Sequence, residues 1–296
     1  MTDFLEQVVA RRRGSVADAR ARRGWPHDMP HNVWTRMHMT TTGGRFSVNG
    51  IGNAFDGALT QRRHLGRLAV IAEVKRISPA LGRLASASLD VAAQALQYAA
   101  GGATAISVLV EPTFWGGSVD DLRAVREVTD LPILAKDVVI DEYQIYEARS
   151  AGADAILLIA EVLSDDEIHR FRKLAAELSM GTLVEAHEAV AFGRAAESGS
   201  MVVGVNARNL RRPDEIDIGR ARQLHTFAKE GQILVAESGI ATADDARLLP
   251  SRVDAILVGT ALMRESDPAP LVQELAAIPR PPRALPVIGP MRVVRR

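Results

Sequence analysis

The stretch from Ser150 to Leu178, SAGADAILLIAEVLSDDEIHRFRKLAAEL, contains a strand pattern followed by a helix pattern, and this unit decides the fold. Its apolar run ADAILLIA, from Ala153, lacks a regular alternation of apolar and polar residues, which is typical of a strand buried on both faces. The segment from Ser164 has a helical period, and its Ser-Asp-Asp-Glu start suits a helix N-terminus and its dipole. The glycine of SAGADAI is placed to end the preceding helix. The stretch therefore predicts a buried parallel strand and a covering helix.

The same unit recurs along the chain from about residue 68, and two further glycine junctions, AGGATAI and ESGSMVV, precede strand patterns. The apolar runs are LAVIAEVK, ATAISVLV, LPILAKD, ADAILLIA, GTLVEAH, MVVGVNAR, QILVAESG and VDAILVGT. Eight such units predict an all-parallel sheet of the α/β class, and the number eight favours a closed (β/α)8 TIM barrel. An open eight-stranded sheet is the alternative, but the first strand lacks the Gly-x-Gly-x-x-Gly turn of a dinucleotide-binding sheet.

The repeat divides the chain into three parts. Residues 1–53 are expected to form an N-terminal helical and irregular extension, a helix followed by a flap or arm. Residues 54–278 are expected to form the catalytic barrel, and residues 279–296 a flexible tail rich in proline and arginine. Within the extension, three histidines have no acidic or sulfur ligand at a convincing spacing, so we predict no metal there: His27, His31 and His38.

Composition narrows the class of protein. The 296 residues are 47% hydrophobic and carry a formal net charge of zero, which gives no footprint for nucleic-acid binding. The arginine clusters at 11–13 and 20–23 are assigned to the polar face of an N-terminal helix. The chain has no cysteine, which excludes disulfides, thiolate metal sites and a cysteine nucleophile. Because no apolar run approaches the roughly 20 residues of a membrane span and no signal order opens the chain, we expect a cytoplasmic protein without a membrane partner.

Lysine is rare in this chain, which otherwise uses arginine: only four of its 36 basic residues are lysines. Lys173 and Lys229 lie in polar helical stretches, whereas Lys75 and Lys136 end apolar strand patterns. An ammonium can shift its pKa and give up a proton, which a guanidinium cannot do. The alternative is that the lysines are scattered by chance or form ordinary ion pairs. The positions of Lys75 and Lys136 favour a chemical role.

Polar residues gather at the C-terminal ends of the predicted strands, where a barrel's active site forms. They are Glu73, Lys75, Glu111, Lys136, Glu185, Asn206, Arg208, Glu237, Ser238, Gly239, Gly259 and Thr260. Three of these carboxylates would form, with the two lysines and the arginine, a charge-balanced cluster able to run acid and base steps. The three are Glu73, Glu185 and Glu237. The glycines after strands seven and eight, with their neighbouring hydroxyl residues, are expected to offer backbone N–H groups to a phosphate.

The chain resembles the indole-3-glycerol phosphate synthase family, a (β/α)8 family of tryptophan biosynthesis, over about residues 54 to 264. The motifs that carry the resemblance are IAEVKRISP, LPILAKD, YQIYEARSAGADAILLIAEVLSD, LVEAH, GVNARNL, VAESGI and VDAILVGTALM. It implies a carbon–carbon lyase that closes 1-(2-carboxyphenylamino)-1-deoxyribulose 5-phosphate to indole-3-glycerol phosphate with loss of carbon dioxide and water. It also implies a small sugar-phosphate substrate, no metal or organic cofactor, and a monomer or homodimer.

The resemblance implies a role for each matching residue. Lys136 matches the acid that protonates the ketone during ring closure, and Glu185 matches an acid/base of the dehydration. Glu73 and Lys75 match a substrate-orienting pair, and Asn206 matches a hydrogen-bonding residue near the sugar hydroxyls. The residues matched to substrate and phosphate binding are Ser78, Arg208, Glu237, Ser238, Gly239, Gly259 and Thr260. The residues matched to the aryl pocket are Pro79, Trp115, Val138, Leu157 and Leu210. We expected neighbouring cations to lower the pKa of Lys136.

Some positions depart from the family pattern. The family usually carries phenylalanine at the position of Val138, and an aromatic residue followed by Asn or Gln where this chain has Trp115 and Gly116. Either a tryptophan fills the place of the missing ring, or the chain is a paralogue that acts on a modified arylaminodeoxyribulose phosphate in secondary metabolism. A phosphate-binding barrel that isomerises a sugar phosphate, or a non-catalytic binder, is a further alternative. Such proteins would not need Glu73, Lys75, Lys136 and Glu185 together.

Overall fold

The computed structural model describes residues 3–24, 53–85 and 88–283, and within them eight parallel strands close into one barrel. The strands are β1 (Ala69–Val74), β2 (Ala105–Leu109), β3 (Ile133–Lys136), β4 (Ala155–Ile159), β5 (Gly181–Ala186), β6 (Val202–Asn206), β7 (Ile233–Glu237) and β8 (Ala255–Val258). Each strand pairs with the next along the chain, and β8 pairs with β1 to complete the ring. The predicted closed barrel is confirmed. The predicted flap, its three histidines and the tail from residue 284 on lie outside the described residues.

Ten α-helices accompany the strands in the described part of the chain. They are α1 (Phe4–Arg23), α2 (Ala54–His64), α3 (Val91–Ala100), α4 (Val119–Val128), α5 (Glu142–Ser150), α6 (Asp165–Glu177), α7 (Ala189–Glu197), α8 (Arg220–Leu224), α9 (Ala243–Arg247) and α10 (Ala269–Ala276). A short hairpin of residues 77–78 and 82–83 follows β1. None of the described helices is long and apolar enough to cross a membrane.

The strands are apolar throughout because each of their two faces meets a different core. In β1, Val70, Ala72 and Val74 pack outward against the helices. Ala69 and Ile71 point into the barrel interior, where they pack with residues of the other strands. Successive side chains of a strand point to opposite faces, so a closed barrel wrapped in helices leaves few strand positions for polar residues. Apart from the buried Ser107 in the middle of β2 and Thr182 near the start of β5, the polar strand residues stand near the C-terminal strand ends.

Local signals place the helix ends as the sequence predicts. Ser164 caps α6 by accepting a hydrogen bond from the backbone N–H of Glu167, and the Glu167 side chain accepts one from the backbone N–H of Ser164. After α5, Gly152 adopts φ +99°, in the left-handed region that ends many helices. The start of α6 and the end of α5 thus follow from local sequence signals.

Helix α1 lies across the C-terminal end of the barrel, and this position corrects the assignment of its arginines. Arg11 and Arg13 are exposed, as expected of a polar face. Arg12 is buried and forms an ion pair with Asp137, the residue after β3. Val8, one turn earlier, is fully buried and belongs to the interior core. Because Arg12 lies on the same side of the helix as Val8, it faces the barrel and requires a charged partner there.

The opposite end of the barrel is closed by α2 and by the start of the predicted tail. Phe55 and Leu59 of α2 are fully buried in the interior core. Residues 279–283 run extended against this end: Arg280 donates its backbone N–H to Gly66 O at 2.9 Å, and Arg283 pairs with Asp254. The C-terminal arginines thus supply charge partners for a buried carboxylate.

Asp56, in the first turn of α2, is an unusual buried acid. Its Oδ2 accepts a hydrogen bond from Asn53 Nδ2 at 2.9 Å, whereas its Oδ1 has no hydrogen-bond partner among the described residues. A Cβ on Gly181, at the start of β5, would lie only 2.7 Å from that Oδ1, so the surroundings are tightly closed. Burial raises the pKa of Asp56 to about 6, against the opposing effects of Asn53 and the charge of Arg172.

The contribution of Asp56 to the stability of the fold should therefore decrease as the pH rises from about 4 to about 6. An unfolded aspartate ionises near 3.8, so in this window the folded chain retains a proton that the unfolded chain has lost. The contribution of Asp56 is fully present below this window, and about 3 kcal/mol of it is lost above it. We expect Asp56→Asn, which carries no charge, to remove this part of the pH dependence. Urea unfolding between about pH 4 and 7 measures it.

The exposed acid Asp244 provides the control, because Asp244→Asn should leave the pH profile of the parent unchanged. If the unfolding free energies of the parent and of Asp56→Asn ran parallel over the whole range, Asp56 would not hold its proton in the folded chain.

Candidate active site

A cavity of about 260 Å³ opens at the C-terminal ends of the strands. The structure brings every predicted site residue to its wall. They are Glu73, Lys75, Ser78, Pro79, Trp115, Lys136, Val138, Leu157, Glu185, Asn206, Arg208, Leu210, Glu237, Ser238, Gly239, Gly259 and Thr260. Strand ends distant in sequence meet here because closure of the barrel places all eight on one rim.

Lys136 lies between two carboxylates at the centre of the cavity. Its Nζ is 3.0 Å from Glu185 Oε2 and 2.6 Å from Glu237 Oε2. Burial works to lower the pKa of Lys136, but the charges of Glu185, Glu237 and Glu73 outweigh it, so the pKa lies above the ordinary value. The expectation of a pKa lowered by neighbouring cations is therefore wrong. The nearest charges are negative, and Lys136 is held as an ammonium with a proton to donate.

The two carboxylates beside Lys136 have opposite protonation behaviour. Burial and the nearby charge of Glu185 raise the pKa of Glu237 well above its usual range. Burial also opposes ionisation of Glu185, but the charge of Lys136 and hydrogen bonds with Glu237, Lys136 and Asn206 lower its pKa. Two carboxylates this close together titrate as a pair, and the directions of their shifts favour a proton on Glu237 over one on Glu185. In that arrangement Glu237 can donate a hydrogen bond to the charged Glu185.

Glu73 and Lys75 form a second ion pair at the rim. The Lys75 Nζ lies 2.7 Å from Glu73 Oε1. Gly259, assigned from the sequence to phosphate binding, has a further reason to be glycine: a Cβ there would lie 2.3 Å from Glu73 Oε1 and 2.9 Å from Lys75 Nζ. Similarly, a Cβ on Gly204 would lie 2.2 Å from Glu237 Oε1. Each glycine leaves space for a carboxylate from the adjacent strand.

The end of β6 is held by a network that sequence reasoning did not identify. Asn206 Oδ1 accepts a hydrogen bond from the backbone N of Arg208 at 3.0 Å, which turns the amide nitrogen toward Glu185. His187 Nδ1 lies 2.9 Å from the backbone oxygen of Asn206, and Arg220 Nη2 lies 3.3 Å from His187 Nε2. Because an arginine can only donate, Nε2 is an acceptor and Nδ1 carries the hydrogen. His187, the histidine in LVEAH, therefore helps to hold the end of β6 in place.

The part of the cavity beyond β7 and β8 is suited to an anion. Ser238 and Gly239 both adopt left-handed backbone conformations, with φ of 65° and 76°. Such consecutive residues form a concave turn whose N–H groups can converge on an oxygen anion. Thr260 lies just before a single 3₁₀ turn at residues 262–264. Ser78 and Lys75 line the same cavity from the β1 side.

The opposite part of the cavity is apolar, and helix α1 contributes to it. Val138 and Leu157 are almost fully buried there. The ring of Phe4 meets that of Trp115 edge to face, with centroids 5.8 Å apart, and Phe4 and Leu5 line the cavity. Sequence reasoning missed both α1 residues. The stripe of apolar residues in FLEQVVA marks one face of α1 as buried, but it does not indicate what that face covers.

Glu111 is polar and lies near a strand end, but its carboxylate has a structural role. Its carboxylate accepts hydrogen bonds from the backbone N–H groups of Thr113, Phe114 and Trp115. Glu111 therefore shapes the loop that presents Trp115. In the described ranges, no three side chains of histidine, aspartate or glutamate are placed to hold a metal ion.

Sequence comparisons agree with this geometry. The family model described as indole-3-glycerol phosphate synthase matches residues 5–275. The indole-3-glycerol phosphate synthase of Laribacter hongkongensis is 38% identical over 278 residues, covering 94% of this chain and all of the relative. That of Nocardioides sp. is 46% identical over 211 residues, covering 71% of this chain and 80% of the relative.

Comparison of structures shows the fold only. The tryptophan synthase alpha subunit from Legionella pneumophila strain Paris aligns over 76% of this chain and 97% of its own, with a TM-score of 0.56 and 16% identity. 3-Hexulose-6-phosphate synthase aligns over 71% of this chain and 99% of its own, with a TM-score of 0.53 and 16% identity.

Proposed function

Because the chain belongs to the indole-3-glycerol phosphate synthase family, it is a ring-closing carboxy-lyase of tryptophan biosynthesis, and we propose that Lys136 is its first proton donor. The reaction closes 1-(2-carboxyphenylamino)-1-deoxyribulose 5-phosphate to indole-3-glycerol phosphate and releases carbon dioxide and water. The observation that carries the proposed role is the position of the Lys136 ammonium, paired with Glu185 and Glu237 at the centre of the cavity.

The cavity supports one orientation of the substrate. Its phosphate would lie at the turn of Ser238 and Gly239, near Ser78, Gly259 and Thr260. Its aryl ring would lie at the apolar end, against Pro79, Trp115, Val138, Leu157 and Leu210. The ribulose carbons then span the charged centre. Arg208 and Lys75 lie along the wall between the two ends and can meet the sugar hydroxyls or the carboxylate.

Ring closure begins with attack of the ring carbon that bears the carboxylate on the ketone carbon. Lys136 donates a proton to the ketone oxygen as the carbon–carbon bond forms, which leaves a hydroxyl group. The carboxylate departs as carbon dioxide, and its bonding electrons restore the aromatic ring. General acid catalysis of this kind requires a donor that is protonated at neutral pH, and the Glu185 and Glu237 carboxyls keep Lys136 in that state.

The second step removes the new hydroxyl group as water. A proton from Lys75 or from a reprotonated acid of the cluster converts the hydroxyl group into the leaving water, and the ring nitrogen supplies the electrons that expel it. A base then takes the remaining proton from the former sugar carbon, which completes the indole. The charged Glu185 is suited to this base role, and Asn206 holds its carboxylate in place. Protonated Glu237 is placed to return a proton to Lys136.

The test of this proposal is the appearance of indole fluorescence when the purified protein meets the unsubstituted substrate, with mass spectrometry of the product. We expect indole-3-glycerol phosphate and carbon dioxide in equal amounts. If phosphate bound but no indole formed, the chain would be a binder rather than a lyase, whatever its family.

We also expect the unsubstituted substrate to be preferred over ring-methylated analogues. Trp115 and Phe4 meet at the apolar end and occupy space beside Val138, where the family usually carries a phenylalanine. A methyl group that must displace these rings should lower kcat/KM by roughly 10- to 200-fold. Steady-state kinetics with the parent protein measures the ratio. A higher kcat/KM for a substituted analogue would favour the paralogue of secondary metabolism.

A further inference from the structure

Asp137, the residue after Lys136, is held by more contacts than any role in chemistry requires. Its Oδ1 accepts from Arg12 Nε at 3.0 Å and from the backbone N of Val138 at 2.8 Å. Its Oδ2 accepts from Arg12 Nη2 and from Gln144 Nε2. Asp137 lines the cavity, but both oxygens of its carboxylate are engaged by these donors, and the contacts organise the main chain directly after Lys136.

The partner of this carboxylate belongs to a distant part of the chain. Arg12 is 7% exposed and lies on α1, 125 residues before Asp137. Burial works to lower the pKa of Arg12, but the charge of Asp137, followed by those of Glu147 and Glu111, raises it overall. Arg12 therefore remains a guanidinium, and its fork engages both oxygens of Asp137.

The same helix forms the apolar end of the cavity. Phe4 and Leu5 line it, and Phe4 contacts Phe114 and Trp115 on the loop after β2. A second ion pair, between Arg20 and Asp141, joins α1 to the start of α5 without touching the residues beside Lys136. Both ion pairs hold α1 against the barrel, but only the pair of Arg12 and Asp137 also holds the backbone next to Lys136. Variants of the two pairs can therefore separate the docking of α1 from the positioning of Lys136.

We propose that Arg12 is a positioning residue, whose contact with Asp137 fixes α1 over the aryl end and the Lys136 main chain at the same time. The inference rests on the proposed role of Lys136. It makes the N-terminal helix a part of the active site: if α1 lifts, the aryl end opens and Lys136 loses its alignment. A misplacement of about 1 Å at a reacting group can cost about 100-fold in rate.

The test compares variants of the full chain. Arg12→Met alone leaves Asp137 buried without its cation and could unfold the protein, so the informative variant is Arg12→Met/Asp137→Asn, which removes both charges. We expect its kcat to fall about 100-fold and its KM to rise, with the fold retained in circular dichroism and thermal unfolding. Arg12→Lys restores the charge but not the fork, so its kcat should lie between those of the double variant and the parent.

Arg20→Met is the matched control. It removes an α1 ion pair that does not involve Asp137, so KM should rise while kcat stays close to that of the parent. A parental kcat in the folded double variant would overturn the inference, because Arg12 would then support only the fold. An equal loss of kcat in Arg20→Met would also overturn it, since α1 rather than this contact would matter. If Lys136→Met retained turnover, the proposed role of Lys136 as proton donor would fail, independently of Arg12.

Discussion

Replacing Lys136 by methionine should lower kcat by about 10²- to 10⁴-fold, the usual contribution of a general acid. Methionine has nearly the length of lysine, so the variant removes the transferable proton and the charge with little change of volume. Substrate should still bind, because its phosphate and aryl contacts lie at the two ends of the cavity. Single-turnover fluorescence, which separates binding from indole formation, is the appropriate measurement.

The loss of this cation has a second consequence that can be measured without substrate. Lys136 is the main influence that lowers the pKa of Glu185, so in the variant the pKa of Glu185 should rise. An acid whose pKa is higher in the folded chain than in the unfolded chain costs stability as the pH rises above the unfolded value. Lys136→Met should therefore be closest to the parent in stability near pH 4 to 5 and less stable at pH 7, by about 3 kcal/mol or more.

Lys173 provides the matched control. Its side chain is 71% exposed on α6, and its ion pair with Glu177 is long, at 4.0 Å. Lys173→Met should leave both turnover and the pH profile of stability unchanged. A Lys136→Met variant with kcat within tenfold of the parent would remove Lys136 from the role of proton donor.

The second large effect is expected at Glu185. Glu185→Gln removes the charged member of the carboxylate pair, the base proposed for the second step, and should lower kcat by about 10²- to 10⁴-fold. Glu237→Gln should be milder for stability, because burial and the charge of Glu185 already favour the neutral form of Glu237 and glutamine preserves its size. Its kcat should fall less than that of Glu185→Gln, since only the return of a proton to Lys136 is lost.

The comparison of these two variants tests the assignment of charge within the pair. Both should be measured for kcat, KM and the free energy of unfolding at neutral pH. A Glu237→Gln variant that is the more damaged of the two in stability would show that the charge resides on Glu237, and the roles of the two acids would have to be exchanged.

The sequence predicted the barrel and the membership of the site because both follow from local patterns. Apolar strands of eight successive units must close together, and residues such as Glu73 and Asn206 then reach one rim by position alone. Local patterns do not predict which side chains contact each other across the barrel. The neighbours of Lys136 depend on which side chains face each other after closure, and a cationic environment was predicted where two carboxylates stand.

Helix α1 shows the same limit. Three successive arginines give no local sign that the middle one is buried, because the difference arises only when α1 docks on the barrel. Phe4 and Val8 are apolar, but nothing in the local sequence indicates that they cover the barrel and the loop after β2. Propensity and pattern determine that such a helix forms; long-range packing determines where it lies.

Gly204 and Gly259 carry no functional group, yet they limit where this chemistry can be transplanted. Gly204 lies in β6 and Gly259 directly follows β8, and each is beside a carboxylate of the neighbouring strand. A single methyl group at either position would enter the volume of that carboxylate. Transfer of the acids and lysines to another eight-stranded barrel would therefore also require a glycine beside each of these two carboxylates. Variants selected for activity should retain glycine at both, although neither residue would ever be identified by its reactivity.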